Sequence, residues 1–112
     1  MLDTERQKAM MDLGITIWNK LDKQTPAHAK YCGRPGPYGN PFEIGPDGDR
    51  DDVCIKFDAW LDTGESFGCS RATEAKRQWI LAHVHELAHE DLECWCWPKR
   101  CHCESLAKRA NK

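Results

Sequence analysis

The feature that most constrains this chain is the segment 94–103, which reads Cys-Trp-Cys-Trp-Pro-Lys-Arg-Cys-His-Cys. Four of the seven cysteines and one of the five histidines lie within these ten residues. In a chain without an export signal, thiols at this density usually indicate metal or redox chemistry rather than disulfides. Pro98 forces a turn in the middle of the segment. The fold must therefore bring the residues before and after this turn together around one site.

Zinc is the metal that this segment favours. Cys94 and Cys96 lie two residues apart on a predicted strand, so that both sulfurs point to one face. Cys101 and His102 follow across the turn, at the predicted start of a helix. Because zinc prefers four tetrahedral nitrogen or sulfur ligands, we expect it to be held by Cys94, Cys96, Cys101 and His102. Cys103 is an alternate for either of the last two.

A reactive thiol is the competing interpretation. At a helix N-terminus beside Lys99 and Arg100, Cys101 would have a lowered pKa and would be nucleophilic. His102 would then act as a base or an orienting partner, and Glu104 as an acid or base. In a third interpretation the two cysteines of the strand are only small buried hydrophobic residues.

Hydrophobic periodicity and capping signals predict four helices and three strands. Apolar residues at helical spacing, Val53, Phe57, Trp60 and Leu61, indicate a helix that packs on a core. The order α-β-β-α-α-β-α predicts an α/β fold with a small sheet of about three strands covered by helices. The predicted helices span 3–12, about 49–61, 72–88 and 101–110, and the predicted strands span 15–18, 30–32 and 92–97.

Length and composition restrict the class of protein. With 112 residues, of which 40% are hydrophobic and 30% charged, we expect one folded domain over 1–112. The net charge of −2 gives no general attraction to nucleic acid or to an anionic membrane. Residues 1–14 contain no apolar signal segment, and no stretch approaches the ~20 apolar residues of a membrane span. These features and the odd cysteine count favour a cytoplasmic location without a membrane partner.

A second unusual segment, the GNPF loop (residues 33–42), holds three of the eight glycines and three of the six prolines. Such a composition excludes helix and central strand, so turns and packing must fix its backbone. The loop can be a ligand site, or a structural turn that packs Tyr38 and Phe42 on the core.

A literal zinc-protease motif, H-E-x-x-H, occurs at His85, Glu86 and His89 on a predicted helix. Two histidines four residues apart on a helix can bind zinc, with the glutamate as a general base. The predicted helix ends at about His89, and a strand begins almost at once, with no third ligand at a usual spacing. A metalloprotease is therefore a minor alternative.

Three stretches together resemble a known family. They are Gly33-Arg34-x-x-Pro37-x-Gly39-Asn40-Pro41-Phe42, Ile44-Gly45-x-Asp47-Gly48-x-Arg50, and Leu92-x-Cys94-Trp95-Cys96-x-Pro98-x-x-Cys101-His102. The chain resembles the phage and bacterial family known as domain of unknown function 4326 over about residues 29–110, after an N-terminal helix, strand and connector (1–28). Family members usually carry a small residue, often Gly-Asp, where this chain has Cys103-Glu104-Ser105.

The resemblance implies a phage setting in a bacterial cytoplasm, and it implies that the GNPF loop and segment 94–103 form one site. Loops at the ends of strands in an α/β layer form crevices in which ligands bind. Arg34 and Arg50 could hold a phosphate or carboxylate, and Asn40 could contact a base or sugar. Alternatively, Asn40 only forms an Asx-turn, and the two arginines only pair with nearby carboxylates.

The sequence as a whole favours a small zinc-binding accessory protein that binds a nucleotide, a nucleic acid or a host protein through the GNPF-loop crevice. In this hypothesis the zinc fastens the last strand to the last helix. The alternative is an enzyme that acts on a nucleotide or nucleobase through Cys101 or an open zinc site. Oligomeric state and ligand identity do not follow from the sequence.

Overall fold

The sheet contains three parallel strands in a computed structural model that describes residues 4–111. They are β1 (Thr16–Asn19), β2 (Lys30–Tyr31) and β3 (Asp91–Cys94). β3 lies in the middle, with order β1-β3-β2 and both pairs parallel. Since the strands are parallel, their carboxyl ends meet at one edge of the sheet. This edge carries the candidate site.

The central strand β3 alternates as predicted but is shorter than predicted. Leu92 and Cys94 are buried, which confirms that they share the core-facing side of the strand. The strand ends at Cys94 rather than at Trp97. The physical reason is that the side-chain amide of Asn19 donates hydrogen bonds to the carbonyl oxygens of Trp95 and Trp97, at 3.2 and 2.9 Å. The backbone after Cys94 therefore turns away from the sheet.

Four α-helices cover the sheet: α1 (Thr4–Asp12), α2 (Arg50–Thr63), α3 (Glu74–His83) and α4 (Cys103–Ala110). The order of helices and strands is the predicted one. Helix α4 contacts both β3 and α2. None of the helices among residues 4–111 is long and apolar enough to cross a membrane.

Helix α2 begins at the predicted N-cap and ends at Thr63, two residues beyond the predicted end. The side chains and backbone N–H groups of Asp49 and Asp52 form a capping box. Gly64, with φ of 85°, ends the helix in the left-handed conformation that glycine adopts at no steric cost. The four apolar residues of the predicted stripe are all buried: Val53, Phe57, Trp60 and Leu61.

Helix α3 is shorter than the predicted 72–88. Thr73 caps it, and it ends at His83, where a 3-10 helix, Val84–Leu87, follows. In a 3-10 helix residues three apart lie above one another, so Val84 and Leu87 both reach the core, at 6% and 1% exposure. Helix α4 likewise starts two residues later than predicted, because Cys101 and His102 belong to the turn before it.

Candidate metal centre and adjoining pocket

The structure brings three thiols of segment 94–103 together at the carboxyl edge of the sheet. Cys94 ends β3, Cys101 lies in the turn before α4, and Cys103 is the first residue of α4. Their Sγ atoms lie within 4.8 Å of one another, and all three residues are buried. The Sγ atoms of Cys94 and Cys101 are 3.0 Å apart. This group can hold a metal ion.

Cys96 is the fourth thiol of what we call the thiol cluster (Cys94, Cys96, Cys101 and Cys103). It lies in the turn after β3 and is half-buried. Interactions with the thiols of Cys101 and Cys94 raise the pKa of Cys96. The cluster therefore joins the end of β3, the turn and the start of α4.

Within the thiol cluster the pKa values of Cys101 and Cys94 are lowered, that of Cys101 the more strongly. Hydrogen bonds from Cys103, Cys94 and Cys96 hold the pKa of Cys101 well below its usual range, although burial opposes this. The hydrogen bond to Cys101 correspondingly raises the pKa of Cys96 and that of Cys103. A thiolate surrounded by donor thiols is a suitable starting point for binding a cation, because the thiolate is the form that ligates metals.

His102 lies beside the thiol cluster and is held by a backbone group. Its Nε2 is 2.6 Å from the carbonyl oxygen of Cys32, and its Nδ1 is 3.8 Å from the Sγ of Cys101. Burial disfavours the charged ring, but the hydrogen bond and charge of Cys101 raise the pKa of His102 to about 9. Because a carbonyl only accepts, Nε2 must carry a proton. Nδ1 is then the atom directed at Cys101.

Cys32 is a neighbour of this site that the sequence analysis did not include. It follows β2 directly, is fully buried, and together with Cys101 raises the pKa of Cys103. The available signal was its position at the end of a predicted strand, at the edge where parallel strands end. The parallel order that places β2 next to β3 was not readable from the sequence.

A pocket of about 280 Å³ adjoins the thiol cluster, between the GNPF loop, α2 and segment 94–102. Trp95 lies at its rim with 53% exposure, and its Nε1 donates to the Tyr31 hydroxyl at 2.9 Å. The sequence-predicted candidates that line the pocket are Arg34, Asn40, Arg50, Cys94, Cys96, Cys101 and His102.

Three arginines line this pocket, and one of them was missed by the sequence analysis. Arg34 pairs with Glu43 at 3.2 Å, and Arg100, the missed residue, pairs with Asp51 at 3.2 Å. Arg50 makes no ion pair with a carboxylate among residues 4–111. Its Nη1 lies 3.4 Å from the Arg100 carbonyl oxygen, and its charge acts to lower the pKa of Cys96, against the larger effects that raise it. The pocket therefore contains cationic groups next to the thiol cluster.

Asn40 has a structural role at the pocket wall. Its Oδ1 accepts from the Phe42 backbone N–H at 2.9 Å, which is the Asx-turn considered from the sequence. Its Nδ2 donates to the Val53 carbonyl oxygen at 3.1 Å. These bonds attach the GNPF loop to α2. Contact of Asn40 with a ligand stays a prediction.

Glu104 does not line this pocket; it lines a smaller cavity of about 60 Å³ beside Cys101 and His102. Both of its oxygens accept from Arg6, at 2.8 and 2.7 Å. One of them also accepts from the Cys101 backbone N–H at 3.0 Å. An acid or base role for Glu104 toward a ligand in the pocket has no support from this geometry.

The H-E-x-x-H segment does not form the helix that a zinc protease requires. His85 and Glu86 lie in the 3-10 helix, Ala88 is extended, and His89 has φ of 59°. The two imidazoles therefore do not share an α-helical face. Among residues 4–111, the group of ligand-type side chains close enough to hold a metal is that of Cys94, Cys101 and Cys103.

The chain matches one known protein family. Residues 16–112 match the family described as domain of unknown function (DUF4326). The chain belongs to this family. The match confirms the resemblance and includes all strands, the GNPF loop and the thiol cluster of this DUF4326 protein, whereas α1 precedes it. No curated protein and no solved structure matches the chain.

Proposed function

We propose that this DUF4326 protein is a zinc-binding protein whose zinc is held by Cys94, Cys96, Cys101 and Cys103. The observation that carries the proposal is the buried group of Cys94, Cys101 and Cys103, with Sγ atoms within 4.8 Å of one another. We assign Cys96 as the fourth ligand, since it lies in the turn between Cys94 and Cys101 and lines the pocket with both of them. Relative to the set expected from sequence, Cys103 replaces His102.

Ligand chemistry favours zinc. Four thiolates in a closed site are a common structural zinc set, and soft thiolates favour Zn²⁺ over Mg²⁺ or Ca²⁺. The four thiols belong to the end of β3, the following turn and α4. Zinc would therefore fasten the central strand to the last helix. His102 supports the site through its contact with Cys101 at 3.8 Å.

The pocket next to the zinc site would bind a nucleotide. Its volume of about 280 Å³ suits a small molecule, which favours a mononucleotide over a nucleic-acid strand or a host protein. Arg34, Arg50 and Arg100 offer charged donors for a phosphate. Trp95, exposed at the rim, offers a face on which a base can stack.

The biological setting belongs to the same proposal. Family membership supports a phage-encoded protein, because the resemblance implies phage and bacterial members. Buried free thiols are typical of a reducing compartment. We accordingly place this accessory protein in the cytoplasm of a bacterial host.

Metal content of single-cysteine variants tests the zinc set. We expect one zinc per chain in protein purified under reducing conditions, by elemental analysis. Cys94→Ser, Cys101→Ser and Cys103→Ser should each lose most of the metal, because each removes one of four ligands. His102→Gln should retain it. If Cys103→Ser keeps all of its zinc and His102→Gln loses it, the ligands are those expected from sequence, with His102 in place of Cys103.

Binding of AMP, GMP, CMP and UMP, with inorganic phosphate as a reference, tests the pocket by calorimetry. Arg50→Ala should weaken nucleotide binding by about tenfold or more, because a charge-assisted hydrogen bond is lost. Trp95→Ala should cost about 1–3 kcal/mol of nucleotide binding and leave phosphate binding unchanged. Lys99→Ala is the control, since Lys99 does not line the pocket. Equal effects of Lys99→Ala and Arg50→Ala, or no nucleotide binding at all, would contradict the proposal.

A second candidate function is an enzyme that uses Cys101 as a nucleophile on a nucleotide or nucleobase. Cys101 lines the pocket, and its Sγ lies 3.8 Å from His102 Nδ1, which favours this alternative. Cys101→Ser separates the two functions. An enzyme would lose turnover but stay folded, whereas a structural zinc site would lose both its metal and its resistance to thermal unfolding.

A further inference from the structure

Arg6 of helix α1 contacts segment 94–103 and the residue that follows it. Its Nε and Nη2 donate to the two carboxylate oxygens of Glu104, at 2.8 and 2.7 Å. Its Nη1 donates to the Pro98 carbonyl oxygen at 3.1 Å. The guanidinium carbon also lies 5.3 Å from the centre of the Trp97 ring. One side chain thus contacts both sides of the turn that separates the cysteines.

The contact reaches a zinc ligand through Glu104. The Glu104 oxygen that accepts from Arg6 Nη2 also accepts from the backbone N–H of Cys101, at 3.0 Å. Arg6 therefore fixes the carboxylate, and the carboxylate fixes the backbone of Cys101. The Arg6 and Glu104 side chains are 24% and 13% exposed. A bidentate, partly buried pair of this kind is more specific and stronger than an exposed ion pair.

Three of the four thiols of the cluster are almost inaccessible. Cys94, Cys101 and Cys103 are at most 3% exposed, whereas Cys96 is half-buried and lines the pocket, so a chelator has little access to the three buried sulfurs unless neighbouring chain moves. Residues 98–104 contain two of the four proposed ligands, and Arg6 bonds to both ends of that stretch. Movement of this stretch away from β3 requires the contacts of Arg6 to break.

We propose that Arg6 is a positioning residue for the thiol cluster and that α1 acts as a clasp that slows the loss of its metal. The inference rests on the zinc site proposed above. It assigns a role to α1, which precedes the residues matched by the family. Partners that orient ligands in this way typically change metal affinity about 10- to 100-fold when they are removed.

Zinc transfer from the full chain to excess EDTA, followed with a chromogenic indicator, tests the clasp. Arg6→Ala should release zinc about tenfold faster than the unchanged protein, at the same stoichiometry of one zinc per chain. Arg6→Lys keeps the charge but loses the bidentate geometry, so it should restore only part of the slow release. Lys8→Ala removes an exposed charge from the same helix and should leave the rate unchanged.

A double-mutant cycle distinguishes the clasp from a general stabilising role. Arg6→Ala and Glu104→Ala should each accelerate release, and the double variant should be no faster than the faster single one, because both act through one contact. If the accelerations of zinc release by the two single variants multiply in the double variant, the clasp is wrong. The same holds if Arg6→Ala binds zinc but releases it at the unchanged rate. Either result would leave the proposed zinc site standing. An unchanged protein that binds no zinc would overturn the proposed function and, with it, the clasp.

The absorption spectrum of the cobalt-substituted protein reports the geometry of the metal ligands, and a change in helix stability alone would not alter it. We expect the Co²⁺ ligand-field bands of Arg6→Ala to shift, because Cys101 changes position, while those of Lys8→Ala stay unchanged. Identical spectra for the unchanged protein and Arg6→Ala would contradict a positioning role for Arg6.

Discussion

At the site, a shift of one residue in the start of helix α4 decides whether Cys103 or His102 faces the other cysteines. The sequence placed both at the start of a helix and left open which of them binds the metal. Because α4 begins at Cys103, the side chain of Cys103 turns toward Cys94 and Cys101. That of His102 reaches the Cys32 carbonyl oxygen instead. A choice between adjacent residues depends on where the helix starts, which sequence patterns locate only to within a few residues.

Asn40 leads to a stability prediction at the same scale. Asn40→Ala removes an acceptor for the Phe42 N–H and a donor for the Val53 carbonyl at a buried position. We expect the free energy of unfolding to fall by about 1–3 kcal/mol, because a buried partner is left unsatisfied. Urea unfolding measures this, with Asn111→Ala as a control at an exposed position near the chain end. Equal, small losses in the two variants would show that the Asx-turn does not hold the loop.

At the scale of elements, α2 and α4 are joined by a polar network. Arg109 of α4 pairs with Asp58 and Asp62 of α2, at 2.8 and 2.7 Å. The Ser105 hydroxyl also donates to Asp58. This network helps to hold α4 in the position that places Cys103 in the cluster. None of it follows from local sequence, because the partners are about fifty residues apart.

This network makes the stability of the protein sensitive to acid. Burial disfavours the ionised form of Asp58, but hydrogen bonds from Ser105 and Arg109 hold its pKa below the usual 3.8. A carboxylate with a lowered folded-state pKa stabilises the fold above its unfolded-state pKa. This stability is lost as the pH falls through the lower, folded-state value.

Asp58→Asn tests the acid dependence directly. We expect the variant to lose stability at neutral pH and to show a flatter stability profile below about pH 4. Thermal unfolding across a pH series measures both effects. Asp12→Asn, at an exposed position of α1, is the control. Parallel profiles for Asp58→Asn and the unchanged protein below pH 4 would rule out this role of Asp58.

For the whole molecule, locally encoded features were predictable and long-range ones were not. The apolar stripe of α2 and the alternation of β3 predicted the element order, because each is a periodic pattern within one segment. The parallel order that brings Cys32 to the thiol cluster could not be predicted. Nor could the contact of Arg6 with Glu104, 98 residues away. Both depend on how the elements pack.

The central claim for the whole molecule is a zinc ion held by four sulfurs. X-ray absorption at the zinc edge of the purified protein tests it most directly. The account predicts a single shell of four sulfur neighbours at about 2.3 Å. A shell of three sulfurs with one nitrogen would return His102 to the ligand set, and a shell dominated by nitrogen or oxygen, or protein without zinc, would contradict the account.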